Sequence, residues 1–544
     1  MLTRVWTRKA CAAAAAFVLV AGACGGDDDD DAGTTDATEA GGAATTPSAG
    51  TEAPADTEGT EPADTEGTEP ADTEGTEPEG TGGEAAAGGD DTECDGTVDD
   101  SLDEAYGVGA GQMAEWLSCA TDTPLAADDS LDPVVIGLIN SQGDPSFSFP
   151  DITAGAEAAT QYINEVLGGI GSDPSTGTPG RPVQLETCFV TLDPADSVAC
   201  ANEMASKNPM IVIQGFTQHG DSAYPILANA GAVNISGIPV SLADYTTEGV
   251  YGMAPGGGCV GAHPALIEYA VNVMGARKIV VPWLDIPAGR VCYFDLEAKP
   301  LDILKGDFAG PEGVEGSVPD LEYTDVPIPF GAPDLSTQAS QILEFEPDAI
   351  IFSAPVGTCV SLVNALSGLG WTPEEIPGVF TGACFGQPEM EELGDAADGL
   401  IFVSGGSMID IATIPEGLLL RQAEAFVSAM EEYQSDVVPT VNSGILFSEF
   451  AAIWQLMAAA EGGPESIDAT AVGEAIGATV DQHMWGATPY SCGEPVEGYS
   501  AICNTLNTAT QWSAADRART ILETNFDGSY IVAGTELAPE IAGG

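Results

Sequence analysis

The chain has 544 residues, too many for one ordinary domain, so two or three are expected. Its hydrophobic content of 44% is enough for real cores, while 85 acidic residues against 13 basic ones give a formal net charge of −72. That balance excludes nucleic acid as a partner, because phosphate binding needs clustered Lys and Arg and none are clustered here. The acidity otherwise reads as a solvated, self-repelling surface with an acidic tail.

The N-terminus has the pattern of an export signal. Arg4, Arg8 and Lys9 form a basic region, and Ala10 to Val20 an apolar one too short for a typical membrane span. Val20-Ala21-Gly22-Ala23-Cys24 follows, then Gly25-Gly26 and five Asp residues, a pattern that resembles a bacterial lipobox. Residues 1–23 are therefore expected to be a lipoprotein signal peptide, with Cys24 as the lipidated first residue of the mature chain. Each acyl CH₂ buried in a bilayer contributes about 0.8 kcal/mol, so multiple acylation would hold the protein firmly at the membrane. Residues 24–93 are low in complexity, with the unit APADTEGT at Ala53 recurring as EPADTEGT at Glu61 and Glu69. Such a stretch cannot bury a core and is expected to be a disordered acidic tether.

From Cys94 the composition changes. Residues 94–132 form a small segment with one helix expected over Tyr106–Leu117. Val134–Ile139 is a β-branched apolar run, the signature of a strand buried on both faces. Asp151 can cap the helix that follows, apolar at Ile152, Ala156, Ala159 and Ile163. The strand–helix alternation continues with strands at 182–190, 210–215 and 232–236, then restarts with strands at 278–283, 324–328, 347–353, 378–381 and 400–403. Two rounds of it predict two doubly wound α/β lobes joined by a hinge. Helices are expected at 262–274, 292–304, 416–433 and 443–461, the last apolar enough to be a buried packing helix. Residues 485–512 read as a turn-rich patch.

With Cys11 in the signal and Cys24 lipidated, ten cysteines remain in an exported chain, which favours disulfides. Nearest-neighbour pairing is the simplest connectivity: Cys94 with Cys119, Cys188 with Cys200, Cys259 with Cys292, Cys359 with Cys384, and Cys492 with Cys503. Sequence leaves other pairings open. There is no C-x-x-C, and His219, His263 and His483 are scattered, so no metal site is expected.

The segments PVVIGLINSQGD, YINEVLGGIG, GRPVQLETCFVTLDPADSVACANEM, MIVIQGFTQHGDSAYPILANAGAVNISGIP, GARKIVVPWLDIPAGR and FEPDAIIFSAPVGTCVSLVNALSGLGW, in that order, resemble type I periplasmic binding proteins. The nearest branch is the Leu/Ile/Val- and amide-binding group. The resemblance implies a solute-binding lipoprotein that closes two lobes on a small polar ligand and delivers it to an ABC permease. It implies no cofactor, and the protein is expected to act outside the cytoplasm as a lipid-anchored monomer. Lobe 1 would comprise 133–254 and 405–489, lobe 2 255–404 and 490–535, with crossings near Ala254, Gly405 and Tyr490. The matching loop positions are Ser141, Gln142 and Phe147; Thr217, Gln218 and His219; Ser241; Trp283 and Asp285; Ser353; and Thr381 with Phe385. Hydroxyls and backbone N–H groups would meet a carboxylate, Asp285 an ammonium group, and Phe147, Trp283 and Phe385 would wall the ligand. The sequence departs from the amino-acid binders in carrying Thr217-Gln218-His219 after the third strand and Ala288-Gly289 after the fifth. An amide, urea, a dipeptide or an aromatic acid is as well suited as a branched-chain amino acid. The alternative is a surface-tethered sensor of the same fold; with no signalling domain after the body, transport is the expectation, and neighbouring permease and ATPase genes would decide. An enzyme is not expected, since no G-x-S-x-G, H-E-x-x-H or S-x-x-K occurs.

Overall fold

The computed structural model describes residues 94–535, apart from Pro145, Ser146, Phe385, Ser407, Ile409, Asp410, Ala412 and Thr413. The expected signal peptide (1–23), the expected lipidation site Cys24 and the expected tether (24–93) lie outside the described residues. The chain enters through two helices, α1 (Ser101–Tyr106) and α2 (Ala110–Asp122), where one was expected. Gly107 and Gly109 interrupt them with φ of 93° and 85°, a conformation glycine adopts at little cost. The segment is packed on the body: Trp116 lies edge-on to Trp454 with centroids 5.5 Å apart. His483 Nδ1 donates to the carbonyl of Tyr106 at 2.9 Å, while Gln422 Nε2 donates to His483 Nε2 at 2.9 Å. Burial pushes the His483 imidazole down to about 4, so the ring is neutral in this contact.

The first sheet has five parallel strands in the order β2-β1-β3-β4-β5: β1 (Val134–Ser141), β2 (Val183–Val190), β3 (Ile211–Gln214), β4 (Val233–Ser236) and β5 (Val250–Tyr251). β1 lies inside the sheet, between β2 and β3, and is buried on both faces, which is why its sequence is a continuous apolar run. Helices α3 (Pro150–Glu165), α4 (Pro194–Ser206), α5 (Gly220–Asn229) and α6 (Leu242–Thr246) connect or follow these strands. Asp193 caps α4 by accepting from the Ala195 amide at 2.9 Å. Asp151, expected as the cap of α3, sits instead in its first turn behind Pro150, with Phe149 at the cap position.

The second sheet has seven strands in the order β14-β13-β10-β9-β8-β6-β7. Five are parallel: β6 (Lys278–Asp285), β7 (Glu322–Pro329), β8 (Ala349–Phe352), β9 (Gly378–Thr381) and β10 (Ile401–Ser404). Helix α7 (Gly258–Ile267) precedes β6, and α8 (Pro287–Tyr293) and α9 (Lys299–Lys305) follow it, joined by one π-helical stretch. Then come α10 (Ser336–Glu344), α11 (Val356–Gly368) and α12 (Gln387–Leu393). After β10 the chain returns to the first half in α13 (Leu418–Tyr433), α14 (Val441–Met457) and α15 (Ala469–Gly477). β11 (Gln482–Met484) and β12 (Ala487–Tyr490) form a hairpin, and β13 (Leu506–Ser513) pairs antiparallel with both β10 and β14 (Ala518–Asp527), so the stretch read as turn-rich, 485–512, contains β12 and most of β13. β13 has no apolar run to announce it, since its sequence is LNTATQWS.

The chain passes between the two sheets three times, after β5, after β10 and between β12 and β13. Two passes touch at Gly256 and Gly405, where a Cβ on Gly405 would collide with the backbone of Pro255 and Gly256. Five disulfides close the framework in the sequential pairing: 94–119, 188–200, 259–292, 359–384 and 492–503. By chain entropy each such loop contributes about 3 kcal/mol.

Candidate functional site

Residues just past the carboxyl ends of β1, β3, β4, β6, β8, β9 and β10 converge on one cavity of about 470 Å³. In open parallel sheets this is where ligands bind, because the connecting loops there diverge and leave a crevice. The wall from the first half carries Phe149, Phe216, Ile238 and Val240; that from the second carries Leu284, Ile286, Ala354 and Val356. Ile445 of α14, the crossing Ala254–Gly256 and Gly405 complete it. The lining is mainly hydrocarbon. Its polar members include Ser353, Thr381, Ser404, Asn442 and Asn507, with Asp151 and His263.

These polar groups are held in place by one another. Thr381 Oγ1 donates to Ser353 Oγ at 3.0 Å, which fixes two hydroxyls at the ends of β8 and β9. Asp151 Oδ2 accepts from Thr440 Oγ1 at 2.6 Å and from Asn442 Nδ2 at 3.3 Å, tying the start of α3 to that of α14. His263 Nδ1 lies 2.9 Å from Glu297 Oε1, without the alignment of a hydrogen bond. Burial pushes the Glu297 carboxyl up, and the neighbouring imidazole offsets part of that. The disulfide between Cys259 and Cys292 forms the wall beside His263, so these sulfurs are bonded to each other and not available as metal ligands.

Of the positions singled out in the sequence, Ser353 and Thr381 line the cavity. The others, Phe385 apart, are placed nearby and engaged elsewhere. Trp283 stacks on Tyr293 with centroids 5.2 Å apart and donates from Nε1 to Asp325 Oδ2 at 2.9 Å. Asp285 pairs with Arg290 Nε at 2.7 Å. Side chains alternate faces along a strand, so Leu284 and Ile286, between and beyond these two, are the ones that reach the cavity. Phe147 packs edge-on against Phe149 and Phe216, and the latter two form the wall. Ser141 is buried, and Gln142 Oε1 accepts from Thr153 Oγ1 at 2.7 Å. Thr217 Oγ1 donates to Gln214 Oε1 at 3.0 Å, and a ring nitrogen of His219 lies 3.1 Å from the Leu192 carbonyl. Gln218 Oε1 accepts from the amide of Ala288 at 3.3 Å, a bond between the two halves. Ser241 caps α6 in a capping box with Asp244. Phe385 lies outside the described residues. The sequence led to an aromatic wall of Phe147, Trp283 and Phe385, whereas the residues that line this cavity are their neighbours Phe149 and Leu284 with Phe216 and Ile286; the alternation within β6 was the signal for Leu284.

Two α/β sheets, one parallel and one parallel but for its last two strands, three passes between them and a cavity at their carboxyl ends are the architecture of a two-lobed solute-binding protein. The chain belongs to the periplasmic binding protein family, whose model matches residues 133–490. Among solved structures it is similar to an ABC transporter substrate-binding protein from Sphaerobacter thermophilus, 17% identical over 73% of this chain and 99% of that one, with a TM-score of 0.56. A leucine-binding protein from Thermotoga maritima is 14% identical over 72% and 98% of the two chains, with a TM-score of 0.51. A fatty acid ABC transporter substrate-binding protein from Thermomonospora curvata is 13% identical over 77% and 98%, also at 0.51. At these identities the likeness is one of fold. Among curated proteins none matches the sequence. No helix among the described residues is long and apolar enough to cross a membrane.

Proposed function

We propose that this is an extracytoplasmic solute-binding lipoprotein that captures a small organic solute between its two lobes and delivers it to an ABC importer. The observation that supports this reading is the cavity itself, of about 470 Å³ and bounded by strand-end residues of both sheets. A solute inside contacts both halves at once and so stabilises the closed arrangement by differential affinity. Ser353 and Thr381 offer hydroxyls to its polar group, and amides and amino acids remain within the class expected from the sequence. Lipidation at Cys24 and the acidic tether would keep the body at the membrane within reach of a permease. A thermal-shift screen of amino acids, amides and small carboxylates tests the reading. A ligand at 100 times its Kd should add about 2.7 kcal/mol of stability. If no member of a broad library raises the melting temperature, solute capture loses its support.

A further inference from the structure

We infer that the solute is a neutral amphiphile, an apolar chain or ring system ending in one uncharged hydrogen-bonding group. This rests on the solute-binding reading and adds the ligand class. The walls around the cavity are hydrocarbon, with Phe149, Phe216, Ile238, Leu284, Val356 and Ile445 among them. Among the described residues no Lys or Arg lines it, so a carboxylate taken from water meets no cation. The acid on the wall, Asp151, is held through Oδ2 by Thr440 and Asn442 at the junction of α3 and α14, at the rim of an otherwise hydrocarbon wall. His263 is turned toward Glu297. What remains is hydroxyl and amide: Ser353, Thr381, Ser404, Asn442 and Asn507. Asn507 Oδ1 is fully buried against Gly256, with no hydrogen-bonding partner among the described residues, so the three hydroxyls and the Asn442 amide are left to meet a head group.

The cavity also has a continuation. A second one, of about 350 Å³, shares Ser148, Phe149, Leu284, Pro355 and Gly357 with it and runs on to Ile328 and Phe330. Phe147 of the first half and Phe330 of the second meet edge-on there, with centroids 6.3 Å apart. The walls of this second cavity are mixed, with Thr358 and Ser361 opposite Ile328, Leu335 and Phe330, so a tail too long for the inner cavity would pass Leu284 and Phe149 and lie along the apolar side under this aromatic pair.

Isothermal titration with n-alkanamides from butanamide to decanamide, n-alkanoates of the same lengths, and leucine tests both parts. Within the amides each added methylene should tighten binding about fourfold until the space is filled. Alkanoates of equal length should bind at least tenfold more weakly, and leucine more weakly still. Phe330→Ala, a change at a partly exposed side chain, should leave the short amides unchanged and flatten the gain for the long ones. Tighter binding of alkanoates or leucine would overturn the neutral class while leaving solute capture intact. Affinity independent of chain length, or an equal loss across the series in Phe330→Ala, would overturn the apolar path. Silence from all three sets and from the wider library would sink the solute-binding reading itself.

Discussion

At the scale of single residues, strand parity decides what the cleft is made of. Trp283 and Leu284 are neighbours in the sequence, yet one is stacked in the second half's core and the other is on the cavity wall. Leu284→Ala should weaken a bound solute about tenfold, since the lost apolar contact is a side chain's worth. Trp283→Phe removes the bond to Asp325 and part of the stack on Tyr293, about 1–3 kcal/mol of stability, and should leave Kd unchanged. Equal effects on Kd, measured by titration, would mean that the face is misassigned. Glu449 of α14 is a second case. It is fully buried, both its oxygens have no hydrogen-bonding partner among the described residues, and burial pushes its carboxyl well above the usual range. The folded protein therefore holds a proton that the unfolded chain gives up above about pH 4.5, so stability falls as pH rises through that window. Glu449→Gln should raise the melting temperature at pH 7, with the gap closing toward pH 4. A gap that is constant with pH would show that Glu449 is ionised or solvated in the fold.

At the scale of elements, α14 holds the first half together. Its residues are buried nearly all round, as the density of apolar positions in 443–461 foretold. It meets α3 at Gly155, where a Cβ would collide with the backbone of Ser443. Gly155→Ala should therefore destabilise by roughly 1–3 kcal/mol in urea unfolding, although alanine favours helix. A stabilised variant would mean that the helices are further apart. The parallel strands and long helices were legible because burial on both faces leaves continuous apolar runs and helical periodicity. β13 was not, because Asn, Thr and Gln between β10 and β14 make its pattern resemble a loop. Nor was the break between α1 and α2, which depends on the φ of two glycines. The cavity was legible in its loops and not in its side chains. Ser353 and Thr381 stood at strand ends, whereas Phe149, Phe216 and Ile445 are ordinary core residues until the fold brings them to one wall.

At the scale of the whole molecule, five disulfides, two sheets and three passes frame one cavity reached from both halves. The Gln218–Ala288 bond and the Phe147–Phe330 pair already link the halves, so a solute adds to an arrangement the chain itself favours. The passes touch at Gly256 and Gly405, whose missing side chains let the segments lie side by side where a hinge would turn. A crystal structure of the protein with the tightest ligand from the screen tests the central claim most directly. Density for that ligand bounded by Phe149, Leu284, Ser353 and Thr381 is the expected result, and density elsewhere with this cavity unchanged would contradict it.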